Sequence, residues 1–204
     1  MQAESGFEER SFFDYHIYTL RGKTNLLNGQ KKQIQLVPES VTDVIKKYRV
    51  NSYQPDQVVV VVSFENSEKY NLGIPLPAGK IRLYKSEGDD LEFIGEDNVQ
   101  HTPADEKMDI TVGKAFDIIS ERNISSTQKL TRRSQQQTVE YTIRNHKEKA
   151  VQVEIMERLP RNQEAELIKS NYKMVEQKAG YFKFRVPVKE KSETNLVIEY
   201  KTKW

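Results

Sequence analysis

Cysteine is absent from the 204 residues, which removes disulfides, thiolate metal sites and cysteine nucleophiles together. Histidine is scarce: His16, His101 and His146 are the only three. No G-x-S-x-G turn accompanies them, so a nucleophilic triad would have to be gathered from distant segments, and no catalytic residue is expected from the sequence. The nine glycines are scattered singly and none opens a helix, which excludes a phosphate-cradling glycine loop. No apolar run approaches the roughly 20 residues that a membrane-spanning helix needs. An excess of one charge is lacking too: 32 Lys and Arg stand against 30 Asp and Glu. That formal +2 is too small to draw a polyanion by long-range attraction, so nucleic acid is not an expected partner. The first ten residues carry neither the basic nor the apolar segment of a signal peptide, as in a cytosolic protein or an excised piece of a longer one.

What the chain does have is strand grammar: short apolar stretches rich in β-branched and aromatic residues, bounded by turn formers. Over residues 12–20, Phe13, Tyr15 and Ile17 alternate with Asp14, His16 and Tyr18. Asn28-Gly29 reads as a hairpin turn, and Ile34 and Leu36 continue the alternation up to Pro38. In residues 40–50 a capping-box pattern at Ser40 and Asp43 competes with β-branched content, and extended structure is the favoured reading. Five consecutive valines, 58–62, predict a strand buried on both faces. Pro75 and Pro77 predict a connection at an edge or outside the sheet. Residues 80–85 and 91–94 form a hairpin about Glu87-Gly88-Asp89-Asp90, residues 95–106 read as a loop, and strand character returns at 108–119.

The composition then turns polar over 120–138, which predicts a domain junction. Beyond it the alternation is cleaner: Val139, Tyr141 and Ile143; Val151, Val153 and Ile155; Phe182, Phe184, Val186 and Val188; Leu196, Ile198 and Tyr200. The expected fold is therefore all-β, as two consecutive immunoglobulin-like β-sandwich domains with antiparallel sheets, residues 1–118 and 119–204. A faint internal echo supports two copies: residues 62–66, ending in Asn66 and leading to Leu76-Pro77, resemble residues 141–145, ending in Asn145 and leading to Leu159-Pro160.

Several stretches carry a wider resemblance. They are Phe13-Asp14-Tyr15-His16-Ile17-Tyr18, residues 27–32, residues 76–84 beginning Leu76-Pro77-Ala78-Gly79, and Ile94-Gly95-Glu96-Asp97. They continue with His101-Thr102-Pro103, Asp105-Glu106, residues 112–117 and the closing residues 199–204. With these the chain, from Phe12 onward, resembles a bacterial family catalogued as domain of unknown function 4139. The resemblance implies a β-rich C-terminal part of a longer, often exported protein, akin to mucoidy-inhibitor-like proteins. It implies a place in the cell envelope, periplasmic or exported, and transfers no functional residue.

Chemistry is offered at two places. Glu96, Asp97, His101 and Asp105 gather carboxylates and an imidazole within a short span that could ligate a metal or supply an acid and a base. Turn-forming and solvated charges explain the same residues more simply, since no H-E-x-x-H or EF-hand spacing is present. Tyr181, Lys183 and Arg185 would share one strand face as a sugar-binding or protein-binding strip, although long cations around an aromatic commonly just cover a sheet. Glu87, Asp89 and Asp90 read as a solvated hairpin tip, and Lys129, Arg132 and Arg133 as cations able to touch an anionic polymer. The expected function is a non-enzymatic envelope binding or spacer module with a protein or polysaccharide partner. No cofactor is expected; a metal-binding or metal-assisted hydrolase domain and a carbohydrate-binding module are the alternatives.

Overall fold

The computed structural model describes residues 7–36, 40–70, 72–161 and 163–204; the expected strand end at Pro38 lies outside them. In chain order the strands are β1 (Phe7–Phe12), β2 (Tyr15–Leu20), β3 (Ile45–Asn51), β4 (Gln54–Glu65), β5 (Gly79–Glu87), β6 (Asp90–Val99) and β7 (Lys107–Lys114). They continue with β8 (Ile118–Thr131), β9 (Ser134–Asn145), β10 (Val151–Arg158), β11 (Glu164–Ser170), β12 (Met174–Lys178), β13 (Tyr181–Val188) and β14 (Ser192–Lys203). A single 3-10 turn at Glu68–Tyr70 is the other regular element among the described residues. The protein is all-β, and among the described residues no helix is long and apolar enough to cross a membrane.

One compact unit comprises residues 44–63, 80–99 and 109–204. Its core lies between a six-stranded sheet ordered β12-β13-β10-β3-β4-β7 and a four-stranded sheet ordered β11-β14-β9-β8. The alternation of Val139, Tyr141 and Ile143 on β9, of Phe182, Phe184 and Val186 on β13, and of Leu196 and Ile198 on β14 buries every one of these side chains. Their interleaved polar neighbours face water, the arrangement of a sandwich. The valine run sits in β4 with Val58 and Val61 both buried, so both faces of that strand are covered.

The boundary expected at 118/119 is not respected by the hydrogen bonding. β3 pairs in parallel with β10, Tyr48 opposite Val153 and Val50 opposite Ile155, so strands from both sides of that boundary share one sheet, which is mixed and not purely antiparallel. Nor is the polar stretch 120–138 a linker. It forms the far halves of β8 and β9, paired from Ile118 opposite Asn145 to Thr131 opposite Ser134. Every residue from 123 to 131 is exposed; with neither face of β8 covered there, no apolar alternation is required.

The echo between residues 62–66 and 141–145 has a physical counterpart. Asn145 is buried, donating through Nδ2 to the carbonyls of Lys149 and Lys189 (both 2.9 Å) and accepting from Lys147 N through Oδ1 (3.0 Å). Asn66 is buried too, and donates to the carbonyls of Ile74 (2.8 Å) and Pro103 (2.9 Å) while accepting from Gly73 N (3.1 Å). Each asparagine satisfies backbone groups of a loop that could not otherwise be buried. The second compact unit, to which Asn66 belongs, comprises residues 1–43, 64–79 and 100–108 and carries the hairpin β1-β2.

Candidate ligand-binding cleft

The unit around Asn66 contains a cleft of about 450 Å³, built from two segments and a hairpin. Pro75 and Pro77 have no N–H, so Leu76 is the one residue of the three that can pair on both sides. It does so, exchanging bonds with Thr102 (2.8 and 2.9 Å), while Pro103 stops the ladder on the opposite segment. The hairpin is tied to this floor by Tyr18, whose hydroxyl donates to the Pro75 carbonyl at 2.6 Å. Burial, and after it the Glu9 carboxylate, pushes the Tyr18 phenol above its ordinary pKa, so it stays a donor.

The hairpin turns through Phe13-Asp14, with Phe12 opposite Tyr15. Phe13 has φ of 55°, in the left-handed region where two-residue hairpins normally take glycine. Its ring is 87% exposed, beside the 73% exposed Tyr15. A bulky residue held in a strained conformation and presented to water is the kind of departure that marks a functional surface.

Two imidazoles line the cleft, and as neutral rings they present opposite polarity. His101 Nδ1 accepts from the Ala78 N–H at 3.2 Å, which in the neutral ring places the proton on Nε2. His16 Nδ1 lies 2.7 Å from Glu9 Oε1; an ionised carboxylate only accepts, so Nδ1 donates and the neutral ring offers Nε2 as an acceptor. Asp14 adds an acceptor, and Tyr15 a ring and a hydroxyl. Among the described residues no lysine or arginine lines the cleft. Thr102, the one aliphatic hydroxyl among the described lining residues, is turned to the Gln100 carbonyl (2.9 Å).

The four residues expected as a metal set are each engaged separately. Glu96 accepts from Lys80 (2.6 Å) and Arg82 (3.4 Å), and the Lys80 bond chiefly holds its carboxyl below the ordinary value. Asp97 accepts from Asn98 N (2.8 Å) and Thr111 N (2.7 Å). His101 faces the cleft, and Asp105, at φ 61°, turns the chain where its N–H donates to the Asn66 carbonyl at 2.7 Å. Among the described residues no group of three or more His, Asp or Glu is placed to hold a metal ion. Residues 95–99, expected in a loop, are strand: neighbouring side chains there project to opposite faces. Gly95 is required, because a Cβ would collide with the Val112 carbonyl.

Tyr181, Lys183 and Arg185 do share one face of β13, alternating with buried Phe182, Phe184 and Val186. Their polar groups are largely spent. The Tyr181 hydroxyl donates to Glu176 (2.8 Å), Lys183 pairs with the same carboxylate and lies over the Tyr181 ring, and Arg185 reaches Glu154 at 3.4 Å. With Lys183, Lys178 and Tyr181 all donating to it, Glu176 has its pKa lowered to about 2.

Sequence reading missed one polar cluster altogether. Glu157, on β10, is fully buried. Its carboxylate receives Arg122 from β8 (3.0 and 2.6 Å), Tyr141 from β9 (2.5 Å) and Tyr200 from β14 (3.1 Å). Both phenols are raised, first by burial and then by the carboxylate. The alternation of β10 breaks here, with the five residues 153–157 all buried, and that break was the available signal. No family model, curated protein or solved structure matches the chain.

Proposed function

We propose that the chain is a binding module, and that the cleft between Tyr15, Tyr18, His16 and His101 receives an uncharged, hydroxyl-rich ligand of oligosaccharide type. The observation that carries this is the pairing of a donor imidazole with an acceptor imidazole beside an exposed tyrosine. A sugar hydroxyl both donates and accepts, and an apolar sugar face stacks on an aromatic ring. The cleft volume lies within the usual range for small-ligand sites. With no lysine or arginine among the described residues of the lining, an anionic ligand would leave water without a fixed countercharge. Among the described residues no hydroxyl of the lining is bonded to an imidazole, which favours recognition over turnover. Placement in the cell envelope rests on the resemblance of residues 12–204 alone.

Titration calorimetry against neutral oligosaccharides tests the reading. Binding weakened about tenfold or more by Tyr15→Ala and by His101→Ala is expected, the cost of one buried contact being on the order of 1 to 2 kcal/mol. Binding of acidic glycans only, or of proline-rich peptides only, would sink it, as would neutral-sugar binding indifferent to both substitutions.

A further inference from the structure

The far end of the four-stranded sheet carries a second surface. β8 and β9 run out together to a turn at Arg132-Arg133, with Thr131 opposite Ser134. β14 ends alongside, Lys203 opposite Ser134, and the Trp204 N–H donates to the Arg133 carbonyl at 3.0 Å. This collects Lys129, Arg132, Arg133, Lys201 and Lys203 around one hairpin end. Lys201 and Lys203 stand opposite Glu166 and Glu164 of β11 and are locally balanced. Lys129, Arg132 and Arg133 have no carboxylate within 4.0 Å among the described residues, and residues 123–131 contain no acid.

Two apolar side chains share the same end. Leu130, in the bulge between Lys129 and Thr131, is 39% exposed, and Trp204, the only tryptophan, is 47% exposed. Three unbalanced cations beside an exposed indole and a leucine, on an exposed turn, form the composition that seats at a lipid–water boundary: cations against anionic headgroups, the indole at their level, the leucine just below. A polyanion such as RNA would call for a track of cations along a groove or for several stacking rings, and the hairpin end has a single ring.

We infer that the β8-β9 hairpin end, with Lys129, Leu130, Arg132, Arg133 and Trp204, docks the protein peripherally on an anionic lipid surface. The test uses the whole chain and sedimented vesicles, either of phosphatidylcholine alone or of phosphatidylcholine mixed with phosphatidylglycerol. Partition into the mixed vesicles only, weakening as salt rises, is expected. Each cation contributes about fivefold, so Arg132→Gln with Arg133→Gln lowers partition roughly 25-fold. Trp204→Ala lowers it several-fold at high salt as well, since that contribution is not ionic. All three positions are exposed, so circular dichroism of the variants matches the parent. Lys173→Gln, an exposed cation elsewhere, and Tyr15→Ala, in the cleft, leave partition unchanged; the two readings therefore fail separately. Equal loss with Lys173→Gln, retention on short RNA but not on vesicles, or no partition at all would overturn the inference.

Discussion

Replacing Arg122 with leucine should destabilise the sandwich more than any exposed substitution. Glu157 sits on the six-stranded sheet and takes four hydrogen bonds from three strands of the other sheet, two of them from the Arg122 guanidinium at 3.0 and 2.6 Å. Its side chain is 1% exposed, that of Arg122 17%. The carboxylate has no route to water, whereas the guanidinium at the β8 edge has one. Removing the countercharge from a buried pair costs about 3 to 5 kcal/mol, since the remaining charge stays desolvated. For a domain of this size that lowers the thermal midpoint by about 6 to 20 °C, at 2 to 4 °C per kcal/mol. Glu157→Leu should cost less, because Arg122 can turn outward and Tyr200 keeps Gln137 Oε1 at 3.4 Å, so the loss is mainly the Tyr141 phenol left without an acceptor, about 1 to 3 kcal/mol. Combining Arg122→Leu and Glu157→Leu with Tyr141→Phe and Tyr200→Phe should recover most of the stability, since apolar replacement of a whole buried cluster is often neutral. Urea unfolding followed by circular dichroism measures all three. An Arg122→Leu penalty under 1 kcal/mol would refute the reasoning, because the carboxylate would then have to be reached by water.

Acid should weaken the sandwich in a defined window. Glu176 has a folded pKa of about 2 against an ordinary 4.5, and Glu154 is also lowered, Arg49 outweighing the cost of burial. Lowered carboxyls contribute fully above the unfolded value and lose that contribution as pH falls from about 4.5 through 2. Glu176→Gln should flatten the fall in midpoint across that range by about 1 kcal/mol, the upper end for a surface pair; an unchanged profile would remove the pairing from the account. Asn145→Ala should cost about 2 to 4 kcal/mol by leaving loop carbonyls at Lys149 and Lys189 and the Lys147 N–H without their partner, while an exposed Asn171→Ala measured alongside should cost under half as much. Phe13→Gly should relax the left-handed turn and stabilise the hairpin by about 1 kcal/mol, yet weaken ligand capture in the calorimetric assay. A gain in stability with no loss of binding would make the exposed ring dispensable.

Where a strand had one dry face, its residues announced it. β9, β13 and β14 were legible from alternation alone, and the valine run declared a strand covered twice. Legibility failed where that physical condition failed. β6 is exposed along most of its length, so residues 95–99 looked like loop. The outer half of β8 is exposed along its length and, with the polar start of β9, passed for a linker. The turn expected at Asn28-Gly29 exists, closed by Gln30 N to the Leu27 carbonyl at 3.0 Å, but no strand flanks it among the described residues; the hairpin lies earlier, at a Phe13-Asp14 turn without glycine. Parallel pairing of β3 with β10 has no local signature at all, because its contacts are set by the sheet as a whole.

The cleft shows the same limit from the side of function. His16 and His101 read separately as a wet strand face and a loop, and each reading was locally sound. What unites them is a single pairing through Leu76, the residue that two prolines leave free to bond, and a single tyrosine hydroxyl reaching Pro75. Neither is a periodic feature, so no window of sequence reports it. The local rule broken at Phe13 is different in kind: a bulky residue where the turn asks for glycine is a conflict between backbone preference and side-chain identity. A stability optimum would remove that conflict by one substitution. On the proposed reading, its place next to Asp14 and Tyr15 of the cleft keeps a ring for what a ligand would touch, at the expense of the turn that carries it.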